Sequence, residues 1–243
     1  MSLSVFQRQL LGLHESALQE RGGHRLQAPV WAALQCLTDA AVEAGFRLEV
    51  ASAYRSYERQ LAIWNTKLAG GRPVLDDDDQ VVDLATLSEE ECIRCVLRFS
   101  AMPGASRHHW GTDLDVFDAA AVGDDYRVQL SLAEVAASGP FGPLHEWLDQ
   151  RIAAGESFGF YRPYDEDRGG VAAERWHLSY APLAMPYEQA SSAEVLRLAW
   201  LESGLENLAA REVLDSQLES LFERFVMRVA EPPDNALNYL PPA

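Results

Sequence analysis

Apolar residues along the chain change their spacing several times, and each change predicts an element. From about residue 4 to 20, Phe6 and a series of leucines recur at helical intervals, which predicts an opening helix ending before Gly22-Gly23. A second helix is expected from Pro29, a residue suited to a first turn, to Gly45. Phe46–Ala53 alternates as a strand entering the core, and a helix from about Ser56 to Leu68 follows it. Ser88 with Glu91 three residues later forms a capping box for a helix near 89–99. Thr112–Phe117, Ser157–Tyr161 and Arg175–Tyr180 are expected strands, and 131–137 and 140–154 expected helices. There is no regular βαβ alternation and no phosphate-binding glycine loop. The chain is therefore expected to be α+β, with a mainly antiparallel sheet flanked by helices.

Past Pro182 and Pro186 the pattern changes. Val195, Leu198, Leu201, Leu205 and Leu208, then Leu214, Leu218, Leu221, Phe225 and Val229, make 192–230 helix-rich. This divides the chain into a domain over 1–187 and a helical extension over 188–243 with an irregular tail from Glu231. The extension is expected to pack on the core or to form a subunit contact, and it fixes no oligomeric state.

A net charge of −17, from 37 acidic and 20 basic residues, disfavours nucleic acid and anionic membrane surfaces as partners. No apolar run approaches the roughly 18 residues of a membrane span. Met1–Leu10 lacks a basic segment followed by a long apolar core, so a cytoplasmic protein is expected. Three cysteines fit a reducing compartment. Cys92 and Cys95 fall within the 89–99 helix with no second pair to complete a zinc knuckle, and are expected to be buried thiols. Asp76–Asp79 lacks the spaced ligands of a calcium loop and is expected to be a solvated acidic loop.

The candidate chemistry lies in two short stretches, Ser106–Asp115 (SRHHWGTDLD) and Glu174–His177 (ERWH). Catalytic zinc takes three ligands from His, Asp or Glu and leaves a position for water. His108, Asp115 and His177 can supply those ligands, and Glu174 the base that takes the water's proton. On a strand, Asp113 and Asp115 share one face while Leu114 and Val116 share the other, and two such carboxylates call for a cation. Gly111 lets the backbone turn between His108 and that strand. Only one of the adjacent His108 and His109 is expected to coordinate, and Asp113 and Asp118 stand as alternative oxygen ligands.

Ser106-x-His108-x-x-Gly111-x-x-x-Asp115 and Glu174-x-Trp176-His177 resemble the signatures of the VanY-type D-alanyl-D-alanine carboxypeptidases, the M15 metallopeptidase family with the hedgehog/DD-peptidase fold. Tyr54-Arg55-Ser56 with Gln60 resembles a third signature, and Phe158-Gly159-Phe160 the strand before the glutamate motif. The resemblance runs from about residue 25 to 183. It implies Zn²⁺ held by His108, Asp115 and His177, Glu174 as base, and a peptidoglycan-derived peptide as substrate. Arg55 is implied to bind substrate or stabilise the oxyanion, with Gln60 and Ser106 adding hydrogen bonds. The expected activity is removal of a C-terminal D-amino acid across a D,D or L,D bond. A D,D-dipeptidase or an L-Ala–D-Glu endopeptidase is the nearest alternative, and a metal-stabilised binding module the alternative of another class. Asp113 departs from the family pattern, which has a small residue there. It could join the ligands, alter the water's pKa or repel a substrate carboxylate.

Overall fold

The computed structural model describes residues 3–15 and 17–241. The expected opening helix is cut short: α1 spans Val5–Leu10, with Ser4 and Gln7 forming its capping box. Gly12 then takes φ +74°, and a Cβ there would meet His109 Nδ1 at 2.4 Å. Beyond it, β1 (Leu18–Arg21) and β2 (His24–Gln27) make an antiparallel hairpin. Its two-residue turn is Gly22-Gly23, both at positive φ, as a twist-matched hairpin turn requires. The glycine pair reverses the chain where a helix end was expected.

The next elements follow the expected pattern: α2 (Ala28–Glu43), β3 (Leu48–Ser52), α3 (Tyr57–Leu68) and α4 (Glu89–Leu97), the last with the Ser88–Glu91 capping box. In the acidic loop, Asp76 Oδ1 accepts from the Asp78 and Gln80 N–H groups, and Asp77 pairs with Arg98. Asp79 caps the first turn of α5 (Leu132–Val135), accepting from Leu132 and Ala133 N–H. The three cysteines are free and only partly buried. Cys92 and Cys95 are therefore less enclosed than expected, since α4 turns Ile93, Val96 and Leu97 to the core instead.

With β4 (Asp113–Asp118), α6 (Gly142–Ala154), β5 (Phe160–Tyr161) and β6 (His177–Tyr180), the main sheet is complete. Its order is β3-β4-β6-β5, antiparallel throughout. Alternation sorts its side chains. Leu114 and Val116 of β4 and Leu178 and Tyr180 of β6 join a buried cluster with Val30, Leu34 and Leu37 of α2 and Leu144 and Leu148 of α6. Burial of each such aliphatic side chain contributes about 1.5–3 kcal/mol. The same alternation sends Asp113, Asp115, His177 and Ser179 to the opposite face, and all four are buried as well. Across β4 and β3, Asp115 sits opposite Ser52, just past a register shift between Val50 and Ser52 that bends β3.

Two expected strands are shorter than their patterns. Phe158 (φ +55°) and Gly159 (φ +85°) leave only Phe160–Tyr161 extended. Glu174–His177 is a turn, the His177 N–H donating to Glu174 O at 3.1 Å, so the glutamate stands before β6. After β6 comes α7 (Ala181–Ala190), with Pro182 in its first turn, where no intrahelical N–H bond is lost, and Pro186 in its interior, where one is. The helices α8 (Ala193–Ser203) and α9 (Arg211–Phe222) pack on the core, where Leu196, Trp200, Leu214 and Leu218 cluster with Leu10, Tyr57, Trp64 and Trp110. The tail carries a short α10 (Asp234–Leu237), whose Ala236 packs against Tyr161 and Ala181.

One buried polar group makes the fold acid-sensitive. His145 of α6 is fully buried beside Arg162, and burial together with that guanidinium pulls its pKa down to about 2. The unfolded chain takes up this proton near pH 6.5 and the folded chain does not, so stability falls as pH drops below about 6.5. The slope from this group is about 1.4 kcal/mol per pH unit. Urea melts of wild type and His145→Gln between pH 4.5 and 7 are expected to show a flatter acid limb in the variant.

Candidate active site

The first half of the site is a 3₁₀ turn, Arg107–Trp110, closed by Gly111 in the left-handed conformation at φ +66°. The left-handed φ is what favours glycine here, and a Cβ would also press on Leu18 Cδ2 at 2.3 Å. The turn separates the neighbouring histidines. His108 Nδ1–H donates to Ala53 O at 2.8 Å, which leaves Nε2 facing Asp115 Oδ2 at 3.3 Å. His109 points the other way. Its Nδ1 lies 2.6 Å from Arg55 O and its Nε2 accepts from Gly104 N–H at 3.1 Å, so both ring nitrogens are occupied.

The second half comes from β6 and the turn before it. Asp115 and His177 are register partners, with His177 Nδ1 at 3.1 Å from Asp115 Oδ1. His108, Asp115 and His177 are all buried and each offers a ligand atom, these atoms lying within 4.8 Å of one another. Asp113, on the same face, lies 3.0 Å from His177 Nε2 through Oδ1. Asp118 is elsewhere: Oδ1 accepts from Arg47 and Ala120 N–H at the strand end. Burial opposes ionisation of Asp115, but His108 and His177 hold its carboxyl well below the usual range. Two imidazole nitrogens and a carboxylate converging in a dry recess suit a divalent transition metal.

Glu174 reaches this cluster from the turn, its Oε2 3.9 Å from His177 Nδ1. Burial pushes its carboxyl up to about 8, His177 opposing and Asp115 adding to the rise. Arg55, just after β3, is half-buried, and its guanidinium is held by neutral partners, Gln60 Oε1 at 2.8 Å and Ser52 Oγ at 3.4 Å. Gln60 in turn donates to Ala101 O at 2.6 Å. Asp115 and Glu174 act electrostatically on Arg55, countering the effect of its burial. Ser106 is buried at the start of the turn, where its carbonyl accepts from His109 N–H and its hydroxyl caps nothing.

Residues 23–183 match the family model of the VanY D-alanyl-D-alanine carboxypeptidases. The chain belongs to that family. Two uncharacterised proteins of Haemophilus influenzae are related in sequence. One is 35% identical over 125 residues, 51% of this chain and 91% of the relative. The other is 40% identical over 79 residues, 32% of this chain and 54% of the relative. Among solved structures, VanYB in complex with D-alanine-D-alanine shares the fold, with a TM-score of 0.50 at 24% identity, over 73% of this chain and 85% of that one.

Around the VanY signatures stand residues that the sequence patterns did not single out. The Tyr164 ring packs edge-on against His177 with centroids 5.1 Å apart. Lys67, the chain's one lysine, is half-buried on α3 within electrostatic reach of Glu174 and Arg55. Burial and Arg72 lower its amine to about 8. A single lysine among nineteen arginines was the available signal. Arg107 is fully enclosed, donating to Asp113, Glu188, Tyr161 and Ser179. Nothing local marks it, because its partners lie up to 81 residues away.

The opposite orientations of the histidine pair give a direct test. His109→Ala is expected to lose roughly 2–3 kcal/mol in chemical denaturation, since it leaves buried backbone groups unpaired, yet to bind one metal equivalent. His108→Ala is expected to lose that equivalent by elemental analysis.

Proposed function

We propose that the chain is a zinc-dependent carboxypeptidase that removes the C-terminal D-amino acid from peptidoglycan-type peptides. The observation that carries this reading is the buried convergence of His108 Nε2, Asp115 and His177 Nδ1, with Glu174 3.9 Å from the last. Membership of a carboxypeptidase family supports the reaction class. The substrate class draws support from VanYB, which binds D-alanine-D-alanine and has the same fold. Zinc suits a set of two imidazoles and one carboxylate, which leaves room for a fourth ligand. When bound, it supplies a Lewis acid that polarises the scissile carbonyl and acidifies a water.

The side chains do the rest. Glu174 accepts a proton from the attacking water and delivers it to the leaving amine. Its dry setting suits that cycle, because a carboxyl pushed up to about 8 holds a proton more firmly than an exposed glutamate. Arg55 carries the positive charge that an acidic protein needs in order to hold a free C-terminal carboxylate. Among the described residues no carboxylate pairs with it, and Gln60 and Ser52 orient its planar fork. The fork suits the terminal carboxylate or the developing oxyanion, and binding energy spent there favours exopeptidase action.

Incubation of zinc-loaded protein with a muramyl-type pentapeptide and the matching tetrapeptide, read by mass spectrometry, tests the proposal. Release of one terminal D-Ala is expected. Release from the pentapeptide indicates D,D cleavage and release from the tetrapeptide L,D cleavage. Glu174→Gln is expected to lower kcat/KM by about 10²–10⁴-fold while keeping its zinc. No release from either peptide by the zinc-loaded wild type would refute the exopeptidase reading. Arg55→Lys is expected mainly to raise KM for substrates with a free C-terminus, and to leave C-terminally amidated peptides as poor as before.

A further inference from the structure

Strand alternation places Asp113 beside Asp115 on the polar face of the sheet, yet the two carboxylates have different partners. Asp115 faces His108 Nε2 and His177 Nδ1. Asp113 lies on the far side of the same imidazole. Its Oδ1 accepts from Arg107 Nε at 2.9 Å and lies 3.0 Å from His177 Nε2, while Oδ2 accepts from Thr112 Oγ1 at 2.6 Å. Asp113 is completely buried. Arg107 and Thr112 hold its oxygens at the Nε2 edge of the His177 ring, whereas Asp115 meets the Nδ1 edge.

We infer that Asp113 is a positioning residue for His177 and that Arg107 keeps it in that role. The inference rests on the metal-site reading above. A histidine can present either ring nitrogen, or a ring carbon if it flips, and the hydrogen bond on the far nitrogen decides which. Asp113 takes the Nε2–H of His177, which turns Nδ1 toward Asp115 and the metal position. A carboxylate behind a ligating imidazole also makes it a stronger donor, and losing such a partner typically weakens metal binding about 10- to 100-fold.

Arg107 explains how a second carboxylate can lie so near the ligands. A lone buried anion would be prohibitively costly, and unrestrained it would compete for the metal. Arg107 neutralises it and fixes its distance. The guanidinium is itself held on every side, by Glu188 of α7 at 2.6 Å, by Tyr161 Oη and Ser179 Oγ at 2.9 Å each, and by Trp110, whose ring centre lies 4.5 Å from Cζ. The chain Glu188–Arg107–Asp113–His177 thus ties α7 to the candidate metal site through a continuous run of polar contacts.

The test measures zinc affinity by competition with a chromophoric chelator, on wild type, Asp113→Asn and Asp113→Ala, together with the visible spectrum of the Co²⁺ forms. Asp113→Ala is expected to weaken zinc about 10- to 100-fold and to change the Co²⁺ bands. Asp113→Asn, which keeps an acceptor but not the charge, is expected to fall between. An affinity and spectrum for Asp113→Ala indistinguishable from wild type would overturn the inference. Because Asp113→Ala leaves Arg107 unpaired and can compromise folding, a second measurement uses wild type alone. Long-range ¹H–¹⁵N correlation of zinc-loaded protein is expected to show His177 metal-bound at Nδ1 with its proton on Nε2, and the reverse assignment would overturn the inference. The two readings separate cleanly. Zinc binding with these properties but without peptide cleavage removes the peptidase proposal and keeps this one. Cleavage with an unchanged affinity in Asp113→Ala does the opposite, and a wild type that binds no zinc removes both.

Discussion

Buried charge must be balanced, and that constraint organises the molecule around β4. Asp113 and Asp115 emerge two residues apart on the same face of a strand, and both are buried. Each needs a cation, and the fold supplies two different ones. For Asp115 it supplies the imidazoles of His108 and His177, which with it form a candidate metal site, and for Asp113 it supplies a guanidinium enclosed by protein. The other face of the strand carries Leu114 and Val116 into the aliphatic core, so the sheet cannot slip register to relieve the acids without exposing that core. The core thus fixes the geometry of the charges, and the charges decide what must stand around them.

The parts of this arrangement that depend on neighbours in the chain were legible beforehand. Alternation over 112–117 gives the two faces of β4, glycine at 111 gives the turn that aims His108, and the spacing of Glu174 and His177 puts both near one place. The adjacency of His108 and His109 implies that they diverge, and their hydrogen bonds run in opposite directions. Helix starts with a local chemical signal, such as Ser88 with Glu91 or the proline at 29, also fall where expected.

Several features escaped for identifiable reasons. Leucine spacing before Gly22-Gly23 mimics a long helix, whereas the steric demand at Gly12 comes from His109, almost a hundred residues later. The purpose of Asp113 was similarly hidden, because the acid is explained by Arg107, and Arg107 by Glu188, Tyr161 and Ser179. Prolines at 182 and 186 suggested a boundary, yet α7 runs through them and brings Glu188 to the site. Packing of α8 and α9 on the same cluster as α1 and α3 could not be told from a subunit contact by periodicity alone.

Nineteen of the chain's twenty lysine and arginine positions are arginine, which leaves one primary amine on a side chain, within electrostatic reach of Glu174 and Arg55. Lowered to about 8, that amine is partly neutral, and so nucleophilic, at mildly alkaline pH, whereas arginines stay charged and inert to acylating reagents. Lys67 is thereby a built-in chemical address. A fluorophore or crosslinker attached there would report on the surroundings of Glu174 and Arg55, with no cysteine engineering and no competing lysine side chain.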